Sequence, residues 1–89
     1  MRMIRKILKV TAMNDYSVEC EMENGEIYKY DMSFVLKSNG SMIKPLKDIK
    51  FFKKVFIELG CLTWPNGFNT DGASVALGGT LISKVASVA

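Results

Sequence analysis

A chain of 89 residues, 48% hydrophobic and 24% charged, makes one domain near the lower size limit for an independent core and excludes the disordered class. Its net charge of +3 is modest, and the lack of histidine removes the commonest general base, the Ser-His and Cys-His nucleophile pairs, and the commonest transition-metal ligand. No apolar run reaches the roughly 20 residues that span a bilayer, and Lys9 breaks the stretch behind the basic Met1 to Lys6, so no secretory segment is expected and the cytoplasm is the expected compartment.

Residues 5–13 read as a first strand, with Leu8, Val10 and Ala12 alternating with Lys9 and Thr11 at the period of a half-buried sheet. Asn14-Asp15 is the turn, because both side chains bond their own backbone and tolerate unusual dihedrals. In the second strand Tyr16, Val18, Cys20 and Met22 point one way and Ser17, Glu19, Glu21 and Glu23 the other, as in an antiparallel sheet with one wet face. Asn24-Gly25 closes a hairpin into a third strand, Glu26 to Met32.

The register of that hairpin follows from burial. A two-residue loop pairs Met22 with Ile27 and leaves Tyr28 and Tyr30 wet. A three-residue loop, Glu23-Asn24-Gly25 with Gly25 left-handed in a bulge, pairs Met22 with Glu26 and turns both tyrosines and Met32 inward. Burying two tyrosines and a methionine outweighs burying one isoleucine, so the bulged loop is expected.

Residues 33–44 are connection, with a helical turn at Ser33-Phe34-Val35-Leu36 under a serine cap and a loop at residues 38–41. Asp48 is expected to cap a two-turn helix from Ile49 to about Val55, with Phe52 and Val55 toward the core and Phe51 widening that face. Phe56-Ile57-Glu58, a Leu59-Gly60 turn and Cys61 to Trp64 form a second hairpin. It runs into Trp64-Pro65-Asn66-Gly67, where Pro and Gly force a turn. Asn69-Thr70-Asp71 offers caps for a helix from Gly72 to Leu77, ended by Gly78-Gly79. Residues 1–79 thus form the compact domain, and 80–89 an apolar tail with Leu81, Val85 and Val88 at helical spacing, either frayed or docking.

Few residues suggest chemistry. Cys20 and Cys61 are too few and too far apart for a disulfide scaffold or a zinc site, and read as small buried hydrophobes. No metal or cofactor is expected. Trp64 reads as an anchor under its turn, with its indole N–H on a carbonyl; the functional alternative has Asn66 and Asn69 presenting amides to a partner or polar ligand. Asp31 reads as a cap for the following turn rather than a catalytic acid. The row Glu19, Glu21, Glu23 is explained by alternation on a wet strand. Lys47, Lys50, Lys53 and Lys54 with Phe51 read as a solvated helix face, or else as a basic-aromatic surface for nucleic acid.

Several pieces, in order, carry a family resemblance: Asn24-Gly25-Glu26, Tyr30-Asp31-Met32-Ser33, Pro45-Leu46-Lys47-Asp48, Phe52 with Val55, and Trp64-Pro65-Asn66-Gly67. Over residues 5–77 the chain resembles the bacterial family catalogued as domain of unknown function 2442. The resemblance implies a compact α+β domain without an established activity, whose members are found beside small toxin-like or regulatory genes or fused to helix-turn-helix segments. It departs from the family pattern at Asn69, where Asp is usual, and at Gly72, where Pro is frequent.

The expected fold is therefore α+β: a small, mainly antiparallel sheet of about five strands with one or two short helices on one face. The expected function is a non-catalytic protein-interaction module, antitoxin-like or regulatory, that contacts another protein or a second copy of itself as a homodimer. Trp64, Asn66, Asn69, Leu81 and Val85 are its candidate contact residues. The alternative is an accessory nucleic-acid-binding domain using the Lys44 to Lys54 cluster, and an enzyme built from Asp31, the tyrosines and the lysines stands last.

Overall fold

Three alternating segments in a row produce a meander in the computed structural model, which describes residues 6–84. Strands β1 (Ile7–Ala12), β2 (Ser17–Met22) and β3 (Glu26–Asp31) pair in turn, antiparallel. The β2–β3 register sets Cys20 opposite Tyr28 and Val18 opposite Tyr30, as the bulged loop requires, and Gly25 takes a left-handed φ of 88°. Val18, Cys20 and Met22 are fully buried, Tyr28 nearly so, and Tyr30 half-buried.

The face expected for the start of β1 is corrected. The register shifts between Ile7 and Lys9, so that Leu8 is an extra residue with no partner on β2. This bulge turns Ile7 inward, 1% exposed, and leaves Leu8 outside at 54%. Beyond it, Val10 and Ala12 keep the inward face. Tyr16 also leaves the expected pattern: it precedes β2 with φ 63°, a left-handed conformation that is costly for an aromatic residue. Its side chain compensates by reaching the helical layer, where the hydroxyl donates to the Lys47 carbonyl and the ring lies 5.3 Å from Phe52.

A second antiparallel sheet holds β4 (Phe56–Glu58), β5 (Cys61–Thr63) and β6 (Asn69–Thr70) in that order. Leu59 and Gly60, with φ 53° and 77°, make the two-residue hairpin turn between β4 and β5. The tail supplies a further strand. Helical spacing at Leu81 gives way to β7 (Thr80–Lys84), which joins the meander as its fourth strand, in the order β1-β2-β3-β7. Val85 and Val88 lie outside the described residues. The α+β class and antiparallel pairing hold, with seven strands in two sheets among the described residues in place of the expected one sheet of about five.

Short helical pieces cover the inner face. Two are 3₁₀ turns, Ser33–Leu36 and Lys44–Lys47; two are α-helices, α1 (Ile49–Phe52) and α2 (Gly72–Gly78). Asp48 caps α1 as expected, its carboxylate accepting from the Lys50 N–H at 3.0 Å. That helix is one turn shorter than its pattern suggests, because Lys54 N–H bonds back to Phe51 in a tightened last turn and the chain must be extended by Phe56 to pair in β4. The turn at Ser33 carries no serine cap; Asp31 accepts from the Ser33 N–H at 2.8 Å instead. Val35, Leu46, Phe52, Leu62, Trp64 and Val75 meet the inner face of the larger sheet, all fully buried. Among the described residues no helix is long and apolar enough to cross a membrane.

Candidate functional site

The Trp64-Pro65-Asn66-Gly67 turn is built by its own chemistry. Pro65 presets φ, Gly67 takes φ 93°, and the Gly67 N–H closes the turn on the Trp64 carbonyl at 2.8 Å. Trp64 is fully buried; its Nε1 donates to the Phe52 carbonyl at 2.8 Å, and its ring stands 5.8 Å from Phe52 and 5.7 Å from Phe68. Asn66 is used at both ends. Its Nδ2 donates to the Met42 carbonyl at 2.8 Å and its Oδ1 accepts from the Phe68 N–H at 3.3 Å, which pins the loop before Lys44 to the turn. Both side chains hold the fold together here.

Asn69 lies elsewhere. It belongs to the outer face of the smaller sheet, where Thr63 pairs with Asn69 and Cys61 with Glu58. These four, with Leu59 and Gly67, line a shallow open depression. The Asn69 amide donates to the Gly67 carbonyl at 3.4 Å, so it braces the preceding turn. Among the described residues no group of three or more Cys, Asp or Glu side chains is placed to hold a metal ion.

A second depression, at one end of the larger sheet, gathers Asp15, Ser17, Lys29, Asp31 and Ser33. The sequence repeats Asp-x-Ser at 15–17 and 31–33, and the hairpin register sets Ser17 opposite Asp31. That repeat was the available signal for this juxtaposition. Asp15 accepts from the Ser17 hydroxyl and N–H and pairs with Lys29 at 3.4 Å. The Ser17 hydroxyl foremost holds the Asp15 carboxyl below the usual range, and the Ser33 N–H does the same for Asp31. Both are thus ionised acceptors at neutral pH rather than proton donors.

Leu81 stands on β7 opposite Tyr28, half exposed, beside the similarly exposed Ile82; the Val85 position lies outside the described residues. Among the described residues the outer edge of β7 has no pairing strand. On the same flank Phe34 rests against Tyr30, ring centres 6.5 Å apart, and Gly78 packs on that ring.

Lys44 and Lys47 share one ridge of a 3₁₀ turn, because side chains three apart eclipse there. Lys50, Lys53 and Lys54 follow on α1 and its closing turn, exposed to solvent, while Phe51 is half-buried. None of these lysines forms an ion pair among the described residues.

No curated protein and no solved structure matches the chain. A family model does match, over residues 7–72, from the first residue of β1 to the first of α2. The match takes in the meander, the lysine-bearing layer and the Trp64 turn, and it ends before β7. With roughly three quarters of its length inside that model, the chain belongs to the family described as protein of unknown function DUF2442.

Proposed function

We propose that this chain is a non-catalytic protein-interaction module that pairs with a second copy of itself along the outer edge of β7. The observation that carries this reading is the edge itself. All five residues of β7 are exposed, its outer backbone groups have no strand beside them among the described residues, and Leu81 and Ile82 stand half out of the protein. Such an edge invites strand addition. The opposite edge of the sheet is occupied at its start, where the Ile7 N–H donates to Gly60 at 2.9 Å.

Self-pairing suits the sequence of β7. An antiparallel arrangement about Ile82 sets Lys84 opposite Thr80 and brings no like charges together. The register shift between Ile27 and Tyr28 leaves a bulge on β7, and bulges and lysines are the devices that restrict an edge to a specific partner. A five-residue strand falls short of the ~800 Å² per partner of a stable interface. Phe34, against Tyr30 of β3, and the 89% exposed Leu77 of α2 are further exposed apolar residues. The absence of histidine, the buried thiol of Cys20 and the capping roles of Asp31 and Asp48 support the non-catalytic part.

Sedimentation velocity on the full chain and on Ile82→Lys tests the reading. A dimer that the substitution converts to a folded monomer supports it. A parent chain that stays monomeric at about 100 μM, weaker than any specific interface of this size, ends it.

A further inference from the structure

We propose that the helical layer from Lys37 to Lys54 is a docking surface for the phosphate backbone of duplex nucleic acid, a property separate from pairing along β7. Charge in this chain is sharply segregated. Six of the twelve basic residues, and only one of the nine acidic ones, fall within residues 37–54. That one acid, Asp48, has its carboxylate committed to the Lys50 N–H as the cap of α1. The six are Lys37, Lys44, Lys47, Lys50, Lys53 and Lys54, and among the described residues none is neutralised by an ion pair. Elsewhere pairing does occur, as between Lys29 and Asp15 at 3.4 Å.

The fold holds these cations in one layer. The Tyr16 hydroxyl on the Lys47 carbonyl, the Trp64 indole on the Phe52 carbonyl and the Asn66 amide on the Met42 carbonyl tie down the segment at three points. Val35, Leu46 and Phe52 anchor it from below, fully buried. Five of the six lysines are exposed and Lys47 is half-buried, so the layer presents its charge from a fixed base, which lowers the ordering cost of binding.

The chemistry of the layer selects among anionic partners. Its cations are all lysines, compact point charges that contact phosphates without fixed geometry and carry no base readout. Protein interfaces are depleted in lysine and favour arginine and aromatics, which argues against an acidic protein. A membrane-surface helix must sink a continuous apolar face into lipid, but Leu46 and Phe52 are buried in the core and, of the large apolar side chains in this layer, Met42 alone is exposed. Single strands are gripped by stacking on exposed aromatic rings; between the lysines Phe51 is half-buried and Phe52 fully buried, and the exposed Phe34 and Phe56 flank the layer rather than alternate with its cations, which leaves the duplex backbone as the best match.

The test is fluorescence anisotropy of a labelled mixed-sequence DNA duplex titrated with the full chain at low and raised salt. With about five phosphates neutralised, affinity should fall by about 10²–10³-fold between 50 and 200 mM salt. Lys50→Gln/Lys53→Gln/Lys54→Gln, all exposed positions, should weaken binding and reduce the salt slope by about three. Lys9→Gln, exposed on β1 and off both the layer and the β7 edge, should leave it unchanged. The proposal is overturned by no binding at low salt, or by a triple variant with the parent slope. It is equally overturned if phosphatidylserine vesicles or polyglutamate at matched charge displace the duplex on equal terms.

Discussion

The indole Nε1 of Trp64 donates to the carbonyl of Phe52 at 2.8 Å, and that carbonyl is one of the unsatisfied acceptors at the end of α1. One side chain thus fills the core and finishes a helix twelve residues earlier. Trp64→Ala should cost about 3–5 kcal/mol, enough to unfold a domain of this size. Trp64→Phe keeps an aromatic ring and orphans the buried carbonyl, at about 1–3 kcal/mol beyond the packing loss. Urea titrations of both variants measure this, and a Trp64→Phe variant as stable as the parent would show the bond to be idle.

Asp71 caps α2, accepting from the Ser74 N–H at 2.8 Å, and that bond foremost holds its carboxyl below the usual aspartate value. A carboxyl depressed in the folded state stabilises fully above its unfolded pKa and loses that contribution as pH falls through the folded one. Asp71→Ala should therefore cost about 0.5–2 kcal/mol near neutrality. Thermal melts of the two proteins across the acid range should converge as pH drops; a constant gap would place the effect elsewhere than the charge.

The two cysteines should react differently. Cys20 is fully buried on β2, and burial pushes its thiol up to about 12; Cys61 is only half-buried, in the depression of the smaller sheet. At pH 8 an alkylating reagent should modify Cys61 in the native protein and reach Cys20 only after denaturation, since the thiolate is the nucleophile. Mass spectrometry before and after unfolding gives the answer. Rapid native labelling of Cys20 would contradict its burial.

Gly79 permits backbone contact between the end of α2 and β3. A Cβ there would stand 2.5 Å from the Val75 carbonyl oxygen and 3.0 Å from that of Lys29, neither of which can rotate away. Gly79→Ala should cost about 1–3 kcal/mol. Gly40→Ala, whose Cβ would meet only the Ser38 hydroxyl at 3.7 Å and Ile43, should stay within about 0.5 kcal/mol. Equal effects at the two sites would remove the steric argument.

The β2–β3 register was legible because two tyrosines and a methionine change face with a one-residue slip, and burial decides between the alternatives. Nothing comparable separates Ile7 from Leu8, which are equally apolar neighbours; the bulge between them depends on the Ile7 N–H finding Gly60 in another hairpin. β7 was hidden for a related reason. Its own residues lack alternation, and its partner β3 lies far away in sequence. The fold role of Trp64 could be read from residue type, but that of Asn66 could not, since its acceptor is the backbone of Met42 in a loop with no pattern. The lysine cluster was visible as composition; its lack of counter-ions needed the structure.

The strand order β1-β2-β3-β7 also sets a sequence of events in time. The first three strands close through short local turns, whereas bringing Thr80 to Lys29 closes a loop of roughly 50 residues and must await the segments between. β7 is then the last strand to dock and, in a single chain with no strand on its outer edge among the described residues, the first to peel away. Its amide protons should trade with solvent well before those of β2, so the sheet presents a fixed three-strand body with a renewable margin.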